Sequence, residues 1–285
     1  MKIYNYIILT ASITIVLTSC ENDEEYTSGN ILHENDFIKI EAGITSTVKS
    51  GITTDNLSEF GLFIENPADD NYSYKNVDVT EDTGYNKWST SKNMSWSSAS
   101  QEVTVYAYSP YNPDATLTDA MEVNICTDQT VEDSIIASDF LFSACDVTPS
   151  GDQITTNSIY YDNTNSAIKV KLDHKFAKLI ITLDNTFSSY SIDTVYVKGT
   201  NTKAGITLKG NETIGNIDDL SRRCTVKAYK ESDTQYECIL IPQTITSGNL
   251  SIILISSDIP TYIWTSDSNI ELVSGEQINL SLTLN

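Results

Sequence analysis

The sequence is short of basic residues. It has 17 Lys and Arg residues against 39 Asp and Glu residues, a formal net charge of −22 at pH 7. Nucleic-acid binding depends on contacts between basic side chains and phosphates, so this deficit excludes a nucleic-acid partner. The same charge is repelled by anionic membrane surfaces. Attachment to a membrane would therefore need a lipid rather than a basic patch.

Histidine and catalytic motifs are also scarce. The two histidines are His33 and His174, and no C-x-x-C spacing occurs, so we predict no metal site and no cofactor. The sequence contains no G-x-S-x-G, phosphate-binding loop, dinucleotide fingerprint or H-E-x-x-H. His174 lies in mid-strand, which favours a structural role at a sheet face or domain junction over a catalytic base. We predict no catalytic residues and no enzymatic activity.

No apolar run reaches the roughly 20 residues that a transmembrane helix needs. The first run is interrupted by polar residues and ends at Leu17-Thr18-Ser19-Cys20. Small residues directly before a cysteine are typical of lipoprotein signal peptides. We therefore predict a signal peptide over residues 1–19, acylation of Cys20 and an acidic tether over residues 20–35. An ordinary cleaved signal with an incidental cysteine is the alternative.

The remaining cysteines form an even set, which allows three disulfide pairings. The local pairing joins Cys126 to Cys145 and Cys224 to Cys238. It is attractive because each pair brackets a predicted hairpin and an exported chain can oxidise. The alternative is four separate buried thiols that act as small hydrophobic residues.

Helix signals are rare, and short alternating runs of Val, Ile, Thr, Ser and Tyr are separated by Asn, Asp and Gly. The alternation is clear in residues 38–44, 103–108, 169–176 and 278–284. In the first of these runs Ile38, Ile40, Ala42 and Ile44 would share one buried face. Many short strands at this spacing predict sandwiches or barrels.

A domain boundary is predicted in the middle of the chain. Turn residues dominate the stretch from residue 150 to residue 166, around a brief apolar segment at residues 159–161. This division gives an N-terminal β-domain over residues 36–158 and a C-terminal β-domain over residues 159–285. Both are of ordinary domain size.

An ordered series of segments covers nearly the whole mature chain. It starts with the Cys20 motif and continues through residues 37–43, 59–64, 74–77, 105–111, 139–144, 170–179, 241–244 and 275–280. In order and spacing, these segments resemble the fimbrillin family, the lipoprotein pilins and adhesins of Gram-negative anaerobes.

That resemblance implies two tandem transthyretin-like antiparallel β-sandwich domains of the immunoglobulin-like topology class. It also implies a structural or adhesive role at the outer membrane, lipid-anchored and surface-exposed or within fimbriae. The implied partners are other fimbrillin-type subunits, or host or bacterial surface ligands.

The resemblance further implies assembly by strand exchange, in which proteolytic loss of the first strand opens a groove that a neighbouring subunit's strand fills. In this scheme the first strand plugs the groove and the last strand is the donor. The plug residues would be Ile38, Ile40, Ala42 and Ile44, and the donor residues would be Ile278, Leu280, Leu282 and Leu284.

One feature departs from this pattern. Polymerising relatives are commonly cut by an arginine-specific protease after the first strand, but the only arginines here are Arg222 and Arg223. Lys49 is the nearest basic alternative. Without a cut the first strand stays in place, which is compatible with an anchor, a tip variant processed otherwise, or a monomeric adhesin.

Two tryptophans support an alternative function. Exposed at one face, Trp88 and Trp96 could stack on sugar rings, as in a glycan-binding surface lipoprotein of a nutrient-uptake system. The competing interpretation is that both tryptophans fill the first core, since large aromatic side chains are mostly buried.

Overall fold

A computed structural model describes residues 37–44, 52–82, 87–150, 155–210, 213–214 and 223–284. The predicted signal peptide, Cys20, the tether, Lys49 and Arg222 lie outside these ranges. The described chain is nearly all β, as predicted. None of its described helices is long and apolar enough to cross a membrane.

The strands up to residue 174 are β1 Lys39–Ile44, β2 Glu59–Glu65, β3 Tyr74–Asp82, β4 Lys87–Thr90, β5 Val103–Ser109, β6 Met121–Asn124, β7 Leu141–Val147, β8 Ile159–Asp162 and β9 Ala167–His174. A 3-10 turn, Asp70–Tyr72, precedes β3, and the short helix α1, Glu132–Ile136, precedes β7.

The strands that follow are β10 Ala177–Leu183, β11 Ile192–Asn201, β12 Lys203–Thr207, β13 Thr213–Ile214, β14 Arg223–Lys227, β15 Tyr229–Lys230, β16 Gln235–Leu240, β17 Gln243–Ile245, β18 Ser251–Ser256, β19 Tyr262–Thr265, β20 Ile270–Leu272 and β21 Gln277–Leu282. A second 3-10 turn, Asn185–Phe187, follows β10.

The first half is built on one large curved sheet. Its strand order is β1-β9-β7-β5-β2-β3-β4, and β8 also pairs with β9. The sheet curls until β1 lies beside β4. Alternate side chains point into the enclosed space and form a first core that includes Ile40, Phe60, Val105 and Val170. The period-two pattern of the sequence therefore corresponds to a buried inner face.

The second half is a sandwich of two four-stranded sheets. One sheet has the order β15-β16-β10-β21 and the other has the order β14-β11-β18-β19. Leu179 of β10, Val197 of β11 and Ile252 of β18 belong to one buried cluster, which is the second core. Two smaller sheets, β13-β12-β6 and β17-β20, flank this sandwich.

The strand pairing divides the chain at a different place from the predicted boundary at residue 158. Strands β8 and β9, expected in the second domain, pair with each other, and β9 also pairs with β1 and β7 of the first sheet. Of the turn-rich stretch before β8, residues 155–158 form turns and bends that lead directly into this sheet. The chain enters the two main sheets of the second sandwich between His174 and Ala177, although β6 already pairs with β12 beside that sandwich. Because β9 and β10 are consecutive there, no linker marks the passage in the sequence.

The two halves also share a core. Phe63, Tyr108 and Phe142, on the outer face of the first sheet, belong to the same buried cluster as the second sandwich. At the junction the rings of Phe140 and Phe176 lie 5.8 Å apart. A continuous apolar interface of this kind opposes hinge motion between the halves.

A buried glutamine forms hydrogen bonds across the interface between the two halves. Gln129, which is fully buried, donates from Nε2 to the carbonyl oxygen of Ile239 at 2.9 Å and accepts at Oε1 from the Ile239 N–H at 2.8 Å. Its side-chain amide thus takes the place of a neighbouring strand beside β16. Since buried backbone groups are costly to leave unpaired, this contact fixes a first-half loop to the second sandwich.

Candidate functional site

The N-terminal strand β1 is an edge strand that is bound along one side. It runs parallel to β9, with Ile40 opposite Ile168, Ala42 opposite Val170 and Ile44 opposite Leu172. A parallel ladder joins two strands through evenly spaced hydrogen bonds. The strand is therefore attached to the fold through β9 more than through any other element.

The four residues of the predicted plug face the first core. Ile38 and Ile40 are 6% and 4% exposed, and Ala42 and Ile44 are partly buried against the same cluster. Complete burial of one isoleucine side chain contributes about 1.5–3 kcal/mol, so the two isoleucines supply most of the apolar attachment. The half of β1 after Ile40 is held less firmly.

Polar contacts hold the ends and the outer face of β1. The Ile38 N–H donates to the carbonyl oxygen of Met94 at 2.8 Å, and the Ile44 N–H donates to Thr54 Oγ1 at 3.3 Å. On the outer face, Lys169 of β9 forms an ion pair with Glu41. Burial lowers the pKa of Lys169, but the hydrogen bonds and charges of Glu41 and Asp162 together outweigh it, so the net shift is upward.

Ile52, which follows β1 in the chain, is held by its own hydrogen bond to Asp139. Asp139 Oδ2 accepts the Ile52 N–H at 3.2 Å and lies 2.8 Å from His174 Nδ1. Asp139 Oδ1 accepts the Phe140 N–H at 2.9 Å. The side chains of Asp139 and His174 are 0% and 3% exposed. This arrangement fixes the backbone at Ile52, so removal of β1 would leave Ile52 anchored.

His174 thus occupies the structural position that the sequence suggested, at the junction of the two halves. Asp139 and Ile52 were missed, because 35 and 87 residues separate Asp139 from its two partners. No local pattern links residues so far apart. Among the described residues, no group of three His, Cys, Asp or Glu side chains is arranged to hold a metal ion.

The C-terminal strand β21 repeats the arrangement of β1 at the other half. It runs parallel to β10, with Ile278 opposite Leu179, Leu280 opposite Ile181 and Leu282 opposite Leu183. Leu282 is 1% exposed, and the other predicted donor residues, Ile278, Leu280 and Leu284, pack partly buried against the second core. The predicted donor face is therefore occupied within its own chain.

Asp184 holds the end of β21. Its Oδ2 accepts the Thr283 hydroxyl at 2.7 Å, and its N–H donates to the Leu282 carbonyl oxygen at 3.0 Å. Hydrogen bonds from Thr186 and Thr283 hold the pKa of Asp184 below its ordinary value. The ionised carboxylate is thus the form that secures the strand.

The tryptophans do not form an exposed platform. Trp96 is 3% exposed and meets Tyr161 edge-on, with the ring centroids 5.6 Å apart. Trp88 is half-buried and meets Phe60 edge-on at 5.2 Å. Both pack against the first core. The structure therefore favours the core interpretation at these residues over a sugar-binding surface.

The predicted disulfides are not formed, and all four cysteines are free. Cys224 lies on β14 and Cys238 on β16, which belong to different sheets. Cys126 and Cys145 are half-buried, so the alternative of four buried thiols holds fully only for Cys238. Burial raises the pKa of the Cys238 thiol, which makes it unreactive.

Comparison with known proteins gives a consistent set of relatives. The family model described as fimbrillin-like matches residues 27–285. No curated protein is significantly similar in sequence.

Three solved structures share the fold. A structure described as a "putative cell adhesion protein" from Bacteroides uniformis has a TM-score of 0.59 at 15% identity, covering 87% of this chain and 93% of its own. One so described from Bacteroides ovatus has a TM-score of 0.59 at 17% identity, covering 87% and 92%. A fimbrial protein from Bacteroides vulgatus has a TM-score of 0.51 at 13% identity, covering 88% and 96%.

The first prediction concerns the anchor at Ile52. Asp139→Ala leaves the Ile52 N–H, the Phe140 N–H and His174 without their buried acceptor, so we expect a loss of about 3 kcal/mol in the free energy of unfolding. Urea denaturation measures it. Asp146→Ala is the control, because exposed Asp146 accepts the Thr104 hydroxyl at the surface and its loss should cost less than about 1 kcal/mol. Equal losses in the two variants would contradict the role of Asp139.

The second prediction concerns pH. Because its folded pKa is depressed, Asp184 contributes stability that is present above its ordinary pKa of 3.8 and is lost as pH falls through the folded value. Asp184→Asn should therefore lower Tm at pH 7 and have a smaller effect near pH 3. Thermal unfolding of both proteins across this range measures the difference. A Tm difference that does not change with pH would rule out the carboxylate's role.

Proposed function

The chain belongs to the fimbrillin-like family, and we propose that it is a cell-surface lipoprotein that acts as a fimbrial subunit or adhesin. Members of this family are generally structural rather than catalytic. The observation that carries the proposal is the placement of the first and last described strands as parallel edge strands, β1 on β9 and β21 on β10. Edge strands are the elements that another subunit can replace or extend.

The anchor in this proposal is a lipid on Cys20. The sequence before Cys20 supports it, and the acidic residues after Cys20 would keep the tether solvated. Two or more acyl chains give stable attachment to the outer membrane where one chain would be marginal. Labelling cells with a tagged fatty acid tests the anchor, because the label should be absent from a Cys20→Ser variant and its persistence there would refute the assignment.

Assembly in this proposal proceeds by strand exchange. Loss of β1 would expose the inner faces of Ile168, Val170 and Leu172 together with the edge of β9. A strand with apolar residues at every second position would restore the ladder and refill the core. The C-terminal strand of a neighbouring subunit has this pattern in Ile278, Leu280, Leu282 and Leu284.

Two anchors support a cut between Ile44 and Ile52. Ile44 is the last residue of β1, and Ile52 is held by Asp139, so a cut between them would release β1 alone. Lys49 is the basic residue in this interval. Arg223 lies in β14 of the second sandwich, so cleavage there would not free the first strand. In the absence of a lysine-directed cut, the protein would remain a tethered monomeric adhesin or an anchor.

We expect limited trypsin treatment of the purified full chain to yield SDS-resistant multimers, because the freed groove gains a ladder and buried isoleucine contacts when a neighbour's strand enters. Gel electrophoresis without boiling detects the ladder of multimers. Mass spectrometry should find a new N-terminus at Ser50.

Lys49→Gln is the matched control, since it removes this cut and leaves the other trypsin sites in place. It should stay monomeric under the same treatment. Cleavage at Lys49 that yields only monomers would count against strand exchange as the means of assembly.

A further inference from the structure

Strand β1 leaves space beside one of its inward-facing side chains. The side chains of β1 that face the first core follow the order Ile, Ile, Ala, Ile, and the third of them, Ala42, is only partly buried. An open cavity of about 340 Å³ lies beside it, lined by Ala42, Thr54, Asp55, Glu81 and Trp88, and it meets solvent where Thr54 and Asp55 are exposed. The free volume thus coincides with the smallest side chain of the plug.

The walls of this cavity do not depend on Ala42. The ring of Trp88 is held edge-on by Phe60, and Trp88 and Glu81 are opposed residues in the ladder between β3 and β4. Thr54 is positioned by the hydrogen bond from the Ile44 N–H, which any residue in an equivalent strand could donate. The space would therefore persist if another strand took the place of β1.

We propose that this cavity selects the incoming strand and that its occupant is Leu282 from the C-terminal strand of a second copy of this chain. The inference rests on the proposed strand exchange. When the four apolar residues of the two strands are aligned, Leu282 stands at the position of Ala42. The incoming strand would keep the direction of the strand it replaces, because β1 runs parallel to β9 and β21 runs parallel to β10.

Once β21 has left its own sandwich, where Leu282 is 1% exposed, two effects oppose each other in this replacement. Ser281 would stand where Glu41 now pairs with Lys169, and the Glu41 side chain is 47% exposed. Loss of an exposed ion pair changes a binding constant by a factor of about five at most. A leucine side chain has three more carbons than alanine. If these carbons are half buried in the cavity, the strand with leucine binds about tenfold more tightly than the strand with alanine. Filling the cavity therefore outweighs losing the ion pair.

The test uses the full chain after cleavage at Lys49 and synthetic peptides of residues 276–285. The native peptide should displace the first strand, and the Leu282→Ala peptide should bind about tenfold more weakly, equivalent to about 1.4 kcal/mol. A Ser281→Glu peptide, which places a carboxylate where Glu41 pairs with Lys169, should gain no more than about fivefold. Fluorescence anisotropy of labelled peptides measures the three affinities.

The outcomes separate this inference from the function on which it rests. If no peptide binds the cleaved chain, strand exchange itself fails. If the native and Leu282→Ala peptides bind equally, the exchange stands and the selective cavity is refuted. Tighter binding of a Leu282→Lys peptide would also overturn the assignment, because Asp55 and Glu81 would then be selecting a basic side chain.

A variant of the intact chain gives an independent check. Ala42→Leu fills the cavity from within, so the first strand should leave about tenfold more slowly after cleavage at Lys49. Lys39→Leu is the control, because it places the same side chain at an exposed position of β1 and should leave the release rate nearly unchanged. Release of β1 at the wild-type rate from Ala42→Leu would contradict the proposal.

Discussion

The arrangement depends on one continuous segment, residues 167–183, in which β9 and β10 follow each other with only Lys175 and Phe176 between them. β9 carries the N-terminal strand and β10 carries the C-terminal strand, both in parallel register. Parallel ladders are slightly less stable per residue than antiparallel ladders. The first and last described strands are thus added to a central segment whose other neighbours hold it in the fold.

The core shared by the two halves holds residues 167–183 in a fixed position. Phe63, Tyr108 and Phe142 of the first sheet are buried with the second sandwich, and Gln129 completes the edge of β16. The Asp139–His174 pair then fixes Ile52 at the same junction. Loss of β1 would therefore leave a preformed groove rather than a collapsed sheet, which reduces the ordering cost of binding a replacement strand.

The sequence predicted those features that depend on local alternation. The apolar face of β1 at Ile38 and Ile40 and that of β21 at Leu282 follow directly from period-two patterning. Pairing partners could not be predicted in the same way, because the parallel ladder from β1 to β9 joins residues more than a hundred positions apart. Proximity along the chain was equally misleading for Cys224 and Cys238, whose strands lie in different sheets.

The central claim is that the two terminal strands can leave while the strands that carry them stay in place. Native-state hydrogen exchange of the full chain tests it directly, since local opening has a lower free energy than global unfolding. The amides of residues 39–44 and 277–282 should exchange at clearly lower protection than those of residues 168–172 and 179–181. Equal protection of terminal and central strands, with one common dependence on denaturant, would contradict the account.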